Sequence, residues 1–193
     1  MVQVPLDADE HTKRSFIDEF QDEFGCRRAT DAPLLGRVLG VRVSTSDRSH
    51  DLDTRLWNSL SEGSQDWSEL IQTKGGLVES DAYAIEHRTL IELCALHALW
   101  HLDTQSGGEF RPRIDQLIDW HTRELQPDNG INRPWGVHAF IVRSINAGEQ
   151  STQLDAMLHA QTLVNNCCVT FGKPDILSAI ILHDSVQALK AQL

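Results

Sequence analysis

The chain has 193 residues, of which 40% are hydrophobic and 23% charged, so it can bury a core as one globular domain and is not disordered as a whole. Its formal net charge is −11, its pI is near 5.1, and it contains no run of Lys or Arg, so a phosphate backbone or an anionic bilayer would be repelled. Neither nucleic acid nor a membrane is expected as a partner. The start of the chain lacks the basic and apolar pattern of a signal peptide, no apolar stretch approaches the roughly 20 residues of a span, and the chain reads as cytoplasmic.

Residues 1–80 are less regular than residues 81–193, and the contrast marks a boundary between an N-terminal helical or irregular region and a helical-hairpin domain. Phe16, Ile17, Phe20 and Phe24 recur at helical spacing and predict an amphipathic helix over 9–24, ended by Gly25. The Val-rich alternation of 36–45 predicts a short strand, weakened by Gly36 and Gly40. Polar residues 44–53 then form a loop. Leu52, Leu56, Trp57 and Leu60, followed by Trp67, Leu70 and Ile71, predict two short helices broken at Gly63, the second ended by Gly75 and Gly76.

Beyond this point the signals agree with one another. Ser80 and Asp81 are capping residues for a helix running to Thr104, and its portion 90–102 is apolar nearly all round, which places it among other helices. Gly107 and Gly108 break it. Ile114, Leu117, Ile118, His121 and Leu125 mark one face of a second helix that stops at Pro127, and Pro134 suits the first turn of a third over 135–147, with His138, Ile141, Val142 and Ile145 inward. Ser151 and Thr152 open a fourth, whose inner stripe is assigned to Leu154, Met157, Leu158, Val164, Cys168 and Phe171, with Gly172 as its stop. Gln161 and Asn165 fall on that stripe and call for polar partners, for which the 127–133 loop is the candidate. Pro174 and Asp175 start a fifth helix. The expectation is a mainly all-α fold of antiparallel helical hairpins with a less regular N-terminal part.

Cys26, Cys94, Cys167 and Cys168 read as small buried hydrophobes rather than a disulfide framework, and no Cys-x-x-Cys pair suggests zinc. The densest chemistry lies between Trp120 and His138, where two Trp, two His, two Arg, two Asn, Glu124 and Asp128 surround a connection between helices. An ordinary connection is simpler, so this segment is expected to hold a defined shape and present a binding surface made of Trp120, His121, Asn129, Asn132, Arg133, Trp135 and His138. His97 and His101, one helical turn apart, join the ligand-binding candidates, and Glu86 shares their face. The sequence His97-Ala-Leu-Trp-His101 lacks the Glu of the zinc-protease pattern, so these His are expected to be hydrogen-bonded core residues, with no metal and no cofactor. Trp100, Trp120 and Trp135 serve packing or the floor of a groove. Glu124 and Asp128 flank a helix end and are the candidate catalytic pair; the plainer use of the same residues is an ion pair with Arg123 or Arg133.

The stretch Glu124-Leu-Gln-Pro-Asp-Asn-Gly-Ile-Asn-Arg-Pro-Trp135 resembles the inter-helix loops of α/α-toroid proteins such as the six-hairpin glycosidases and terpenoid cyclases, with Gln126, Asp128, Gly130 and Trp135 matching in type. The Gly-to-Trp distance exceeds the family's usual Gly-x-Trp, and residues 81–193 hold too few helices for a full ring. The resemblance therefore implies a partial α/α-toroid or α-superhelix-like arrangement and acid/base chemistry on a carbohydrate or similar polyhydroxy substrate. Two readings stand. One is a helical-hairpin binding or scaffold domain presenting the 120–138 loop, without turnover; the other is a toroid-type enzyme using Glu124 or Asp128. A small-molecule or carbohydrate ligand and a homo-oligomeric state are compatible with both.

Overall fold

A computed structural model of the protein describes residues 4–44, 51–62, 67–78, 83–125 and 131–192. These residues form an all-α fold of nine helices with no strand among them: α1 (Glu10–Glu19), α2 (Asp31–Leu39), α3 (Leu52–Glu62), α4 (Ser68–Gln72), α5 (Ile85–Ser106), α6 (Arg111–Glu124), α7 (Val137–Asn146), α8 (Gln150–Val169) and α9 (Ile176–Lys190). The caps are legible in the residues. Asp9 accepts from the Thr12 amide at 2.8 Å and Asp175 from the Ser178 amide at 2.8 Å, each satisfying an orphan donor of the helix it opens.

Helix α5 is the axis of the molecule. Every residue from Ile91 to Asp103 is buried, as the all-round apolar pattern requires, and the helix contacts α3, α6 and α7. Its end is a compact hairpin to α6. Gly107 turns left-handed, the Gly108 amide donates to the Asp103 carbonyl, and the buried Asp103 carboxylate accepts from the Phe110 amide and Arg111. Arg111 also lies 4.0 Å over the Trp100 ring. A bidentate pair, Arg143 with Asp119, ties α7 to α6. Helices α7 and α8 pack along one another, whereas α9 leaves its neighbour α8 and packs on α7 and α2. One hydrophobic cluster takes in Ile17, Leu34, Leu35 and Trp57 together with Leu96, Phe140 and Ile181, so residues before and after position 80 share a core.

Several boundaries differ from expectation. The strand foreseen over 36–45 is absent: residues 31–39 are helical, and the chain turns back at Gly40 so that Val41 and Val43 lie over Gly36. A Cβ at Gly36 would meet Val43 Cγ2 at 2.5 Å and the Val41 carbonyl at 2.7 Å, so this glycine serves close approach rather than a strand. Helix α1 ends at Glu19, short of Phe24, because the Asp22 carboxylate captures the Phe24 and Cys26 amides in a turn. Helix α5 starts at Ile85, and the expected caps Ser80 and Asp81 lie outside the described residues, as do Gly63 and Pro127. Helix α7 starts at Val137 because Gly136 is left-handed, with Pro134 and Trp135 in the preceding turn.

The largest correction concerns α8. Leu154, Met157, Leu158, Val164 and Phe171, assigned inward, are exposed, and Cys168 is half-buried. The inward face is Ala156, His159, Ala160, Leu163 and Cys167. Small side chains on that face allow α8 to lie close against α7, and this close approach outweighs the larger apolar area left outside. Ile145 on α7, expected inward, is also exposed.

Candidate functional site

Most of the described residues of the Trp120–His138 segment are buried or half-buried. His121, Arg133, Trp135 and His138 are buried, Trp120 and Asn132 are half-buried, and Asn129 lies outside the described residues. Trp135, 1% exposed, packs its ring against Trp57 and His97. Arg133 pairs with Asp175 and with Asp22 at 2.9 Å, and donates to Ser178, whose hydroxyl reaches the Asn132 carbonyl. The acids that pair with this arginine among the described residues are thus the cap of α9 and a residue of the α1–α2 connection, and not Glu124. Glu124 is exposed, as is Arg123; Asp128 lies outside the described residues. Gln161 and Asn165 are also exposed and do not clamp the loop from an inner face.

His97 and His101 do converge, on a partner the sequence reading missed. Both donate from Nε2 to Asp184 Oδ2, at 3.0 and 2.6 Å, while Arg37 donates to Asp184 Oδ1 at 3.2 Å. His138 stands beside them, its ring centroid 4.4 Å from that of His97, with Nδ1 at 3.2 Å from the Ser185 hydroxyl and Nε2 buried without a protein partner. Burial works against a charged Asp184, but the hydrogen bonds from His101 and His97 outweigh it and hold the carboxyl well below the usual carboxylate range. Burial also lowers His101 to about 4, against the pull of Asp184, and keeps His138 well below the ordinary imidazole range, so both rings are neutral near pH 7. The single negative charge is balanced by Arg37.

The ligand atoms of His97, His101 and Asp184 lie within 4.8 Å of one another, close enough by distance to surround a metal ion. The proton positions oppose that use. His97 Nδ1 accepts from the Gly136 amide at 3.2 Å, so its proton sits on Nε2, the nitrogen that faces Asp184. A metal ligand needs a lone pair at that nitrogen and a proton on the other, which would set two donors against each other at Gly136. The centre fits a hydrogen-bonded core that joins α5 to α2, α9 and the turn before α7.

A second buried polar group lies between α5 and α6. Glu92, fully buried, accepts from the Leu77 and Val78 amides at 2.9 and 2.7 Å, and burial raises its carboxyl above the ordinary value. His121 Nε2 is 3.9 Å from Glu92, without a hydrogen-bond partner, and burial pushes this imidazole down to about 3. Buried Arg113 holds the residues just before Leu77 by donating to the Leu70, Gly75 and Gly76 carbonyls.

The cavity nearest the segment lies under residues 131–135, where Asn132, Arg133 and Trp135 face the α1–α2 connection and the start of α5. It has a volume of about 390 Å³, within the usual range of small-molecule sites, and its walls include Leu90, Ile131, Arg28 and Asp31. Arg28 donates from Nη2 to buried Asp53 at 2.8 Å, while its Nη1 is buried with no protein partner. Asp31 accepts the Arg28 amide with one oxygen and keeps the other, Oδ1, unpartnered; burial raises its carboxyl above the ordinary value despite the nearby guanidinium. The Thr30 hydroxyl, outside the lining of the cavity, is likewise buried and unpartnered. Arg28 and Asp31 were missed because they sit in a stretch read as irregular, where Asp-Ala-Pro followed by Leu-Leu was the available signal for a helix start. No protein-family model, curated protein or solved structure matches the chain.

Proposed function

We propose that the chain is a helical-hairpin ligand-binding domain without turnover of its own, and that its ligand is a small polyhydroxy or similarly polar molecule held under residues 131–135. The observation that carries this reading is the unused hydrogen-bonding capacity of Arg28 and Asp31, two residues in the wall of a 390 Å³ cavity that also has apolar surface from Leu90, Ile131 and Trp135. Buried donors and acceptors without partners are costly, and a ligand carrying both hydroxyl hydrogens and lone pairs can satisfy a guanidinium and a carboxyl together. Asn132, in the same wall, adds an amide able to donate and accept. The Arg133 ion pairs fix the roof, so the site is preorganised.

Isothermal titration calorimetry against glucose, galactose, mannitol and inositol tests the reading. Saturable binding of at least one of them is expected, weakened about tenfold in Arg28→Lys and in Asn132→Ala, the loss of roughly one hydrogen bond each. Absence of binding across the set, or equal affinity in both variants, overturns it. Hydrolysis of an aryl glycoside that is lost in Glu124→Gln or Asp128→Asn would move the conclusion to the carbohydrate-active enzyme.

A further inference from the structure

The outward face of α8 carries a pattern that the packing of the chain on itself does not use. Leu154, Leu158, Gln161, Asn165 and Cys168 are spaced alternately by four and three residues, the repeat that keeps one face of a helix aligned with a neighbouring helix. Leu154 and Leu158 are 62% and 60% exposed, and Met157, Val164 and Val169 extend the apolar surface to either side. Between Asp155 and Lys173 the chain has no Asp, Glu, Lys or Arg, although nearly a quarter of all its residues are charged.

We infer that this face is the contact between two copies of the chain, packed with their α8 helices antiparallel. Two molecules of net charge −11 repel each other, and the contact that minimises the repulsion is one from which charge is absent. The polar residues on the face are self-complementary. A two-fold axis that sets Gln161 opposite Asn165 of the second copy repeats the same amide pair on the other side of the axis, and it brings Leu158 opposite Cys168. Paired amides in an otherwise apolar helix seam select register, since any other alignment leaves them against hydrocarbon. The antiparallel sense also brings Asp155, at one end of the neutral stretch, to the end where Lys173 of the second copy lies. A membrane is the poorer occupant, because an interfacial helix carries Lys or Arg on its polar face and α8 has neither.

A single helix pair is a small interface, so dissociation at about 10–100 µM is expected. Sedimentation equilibrium of the full chain from about 5 to 500 µM should show the mass rising from 21.7 kDa towards twice that value. Leu158→Lys should remain monomeric across the range, with a far-UV spectrum and a melting temperature at about 5 µM equal to those of the wild-type chain. A wild-type chain that stays monomeric, or a Leu158→Lys chain that associates as wild type does, overturns the inference. The register has its own test. Leu158→Cys in a Cys26→Ser background, mildly oxidised, should give a covalent dimer bridged between positions 158 and 168; a main product bridged 158 to 158 or 168 to 168 overturns the antiparallel alignment.

Discussion

Asp184 concentrates the polar chemistry of the core in one carboxylate, which accepts from two imidazoles and a guanidinium. Asp184→Ala would strand Arg37 and leave two imidazole N–H groups unpaired, so urea unfolding should show a loss of about 3–5 kcal/mol; a loss below about 1 kcal/mol would remove the central role assigned to it. The same centre sets an acid limit. His101 is neutral in the folded chain down to about 4, whereas in the unfolded chain it takes up a proton near its ordinary 6.5, so between these values the unfolded state binds more protons. Stability is therefore intact above pH 6.5 and falls as the pH drops towards 4, by roughly 3 kcal/mol from this residue alone. Unfolding curves at pH 7 and pH 4.5 check it, and equal stability at the two would contradict the buried neutral state. The spacing of His97 and His101 was legible in the sequence, as was their use as hydrogen-bonded core residues. Asp184 was not singled out, although it continues the stripe of Leu177, Ile180, Ile181 and Ala188 as its lone carboxylate, because its partners stand more than 80 residues away.

Helices show where pattern and packing part. In α2 the sequence offers Val-rich alternation, but the backbone of Val41 and the side chain of Val43 fold over Gly36. Gly36→Ala should therefore cost about 1–3 kcal/mol despite alanine's better helix propensity, measured by thermal or urea unfolding; a gain in stability would show that the Val43 side chain can swing away. In α8 the apolar residues outnumber the places available in the core, so counting them at helical spacing selected the wrong face. Size decides it: Ala156, Ala160 and Leu163 admit the close approach of α7, and the larger residues remain outside. The contrast is measurable under dilute conditions. Leu163→Ala should destabilise by about 2–5 kcal/mol, and Leu158→Ala by less than about 0.5 kcal/mol. The later helices were more readable than the early ones because the all-round apolar run of α5 and the apolar stripes of α6 and α9 adjoin clear Gly and Pro signals, whereas the start of α2 is set by turn contacts among Arg28, Asp31 and Asp53.

Over the whole molecule the all-α fold was legible, since five periodic segments with short connections leave little room for a sheet. What composition alone did not show is how the irregular first part serves the rest. Trp57 of α3 is fully buried, donates to Cys94 of α5 at 3.3 Å and touches His97, His101 and Trp135. Unfolding followed by tryptophan fluorescence and by far-UV dichroism should accordingly give one coincident transition. Two separated transitions would mean that the first part folds apart from the second. The cavity under residues 131–135 was half legible: Asn132, Arg133 and Trp135 came from the composition of their segment, and Arg28 and Asp31 became visible only when the fold brought the two stretches together.

The hydrogen bond from the Gly136 amide to His97 turns one proton into a gauge of the entire core. That amide donates to a ring nitrogen buried among Trp57, Trp135 and His138, so deuterium can replace its hydrogen only when α5 and the turn before α7 separate. Its exchange rate in heavy water, taken relative to that of an exposed amide at the same pH, will then report the free energy of that separation, and the protection so measured will shrink as the pH falls towards 4.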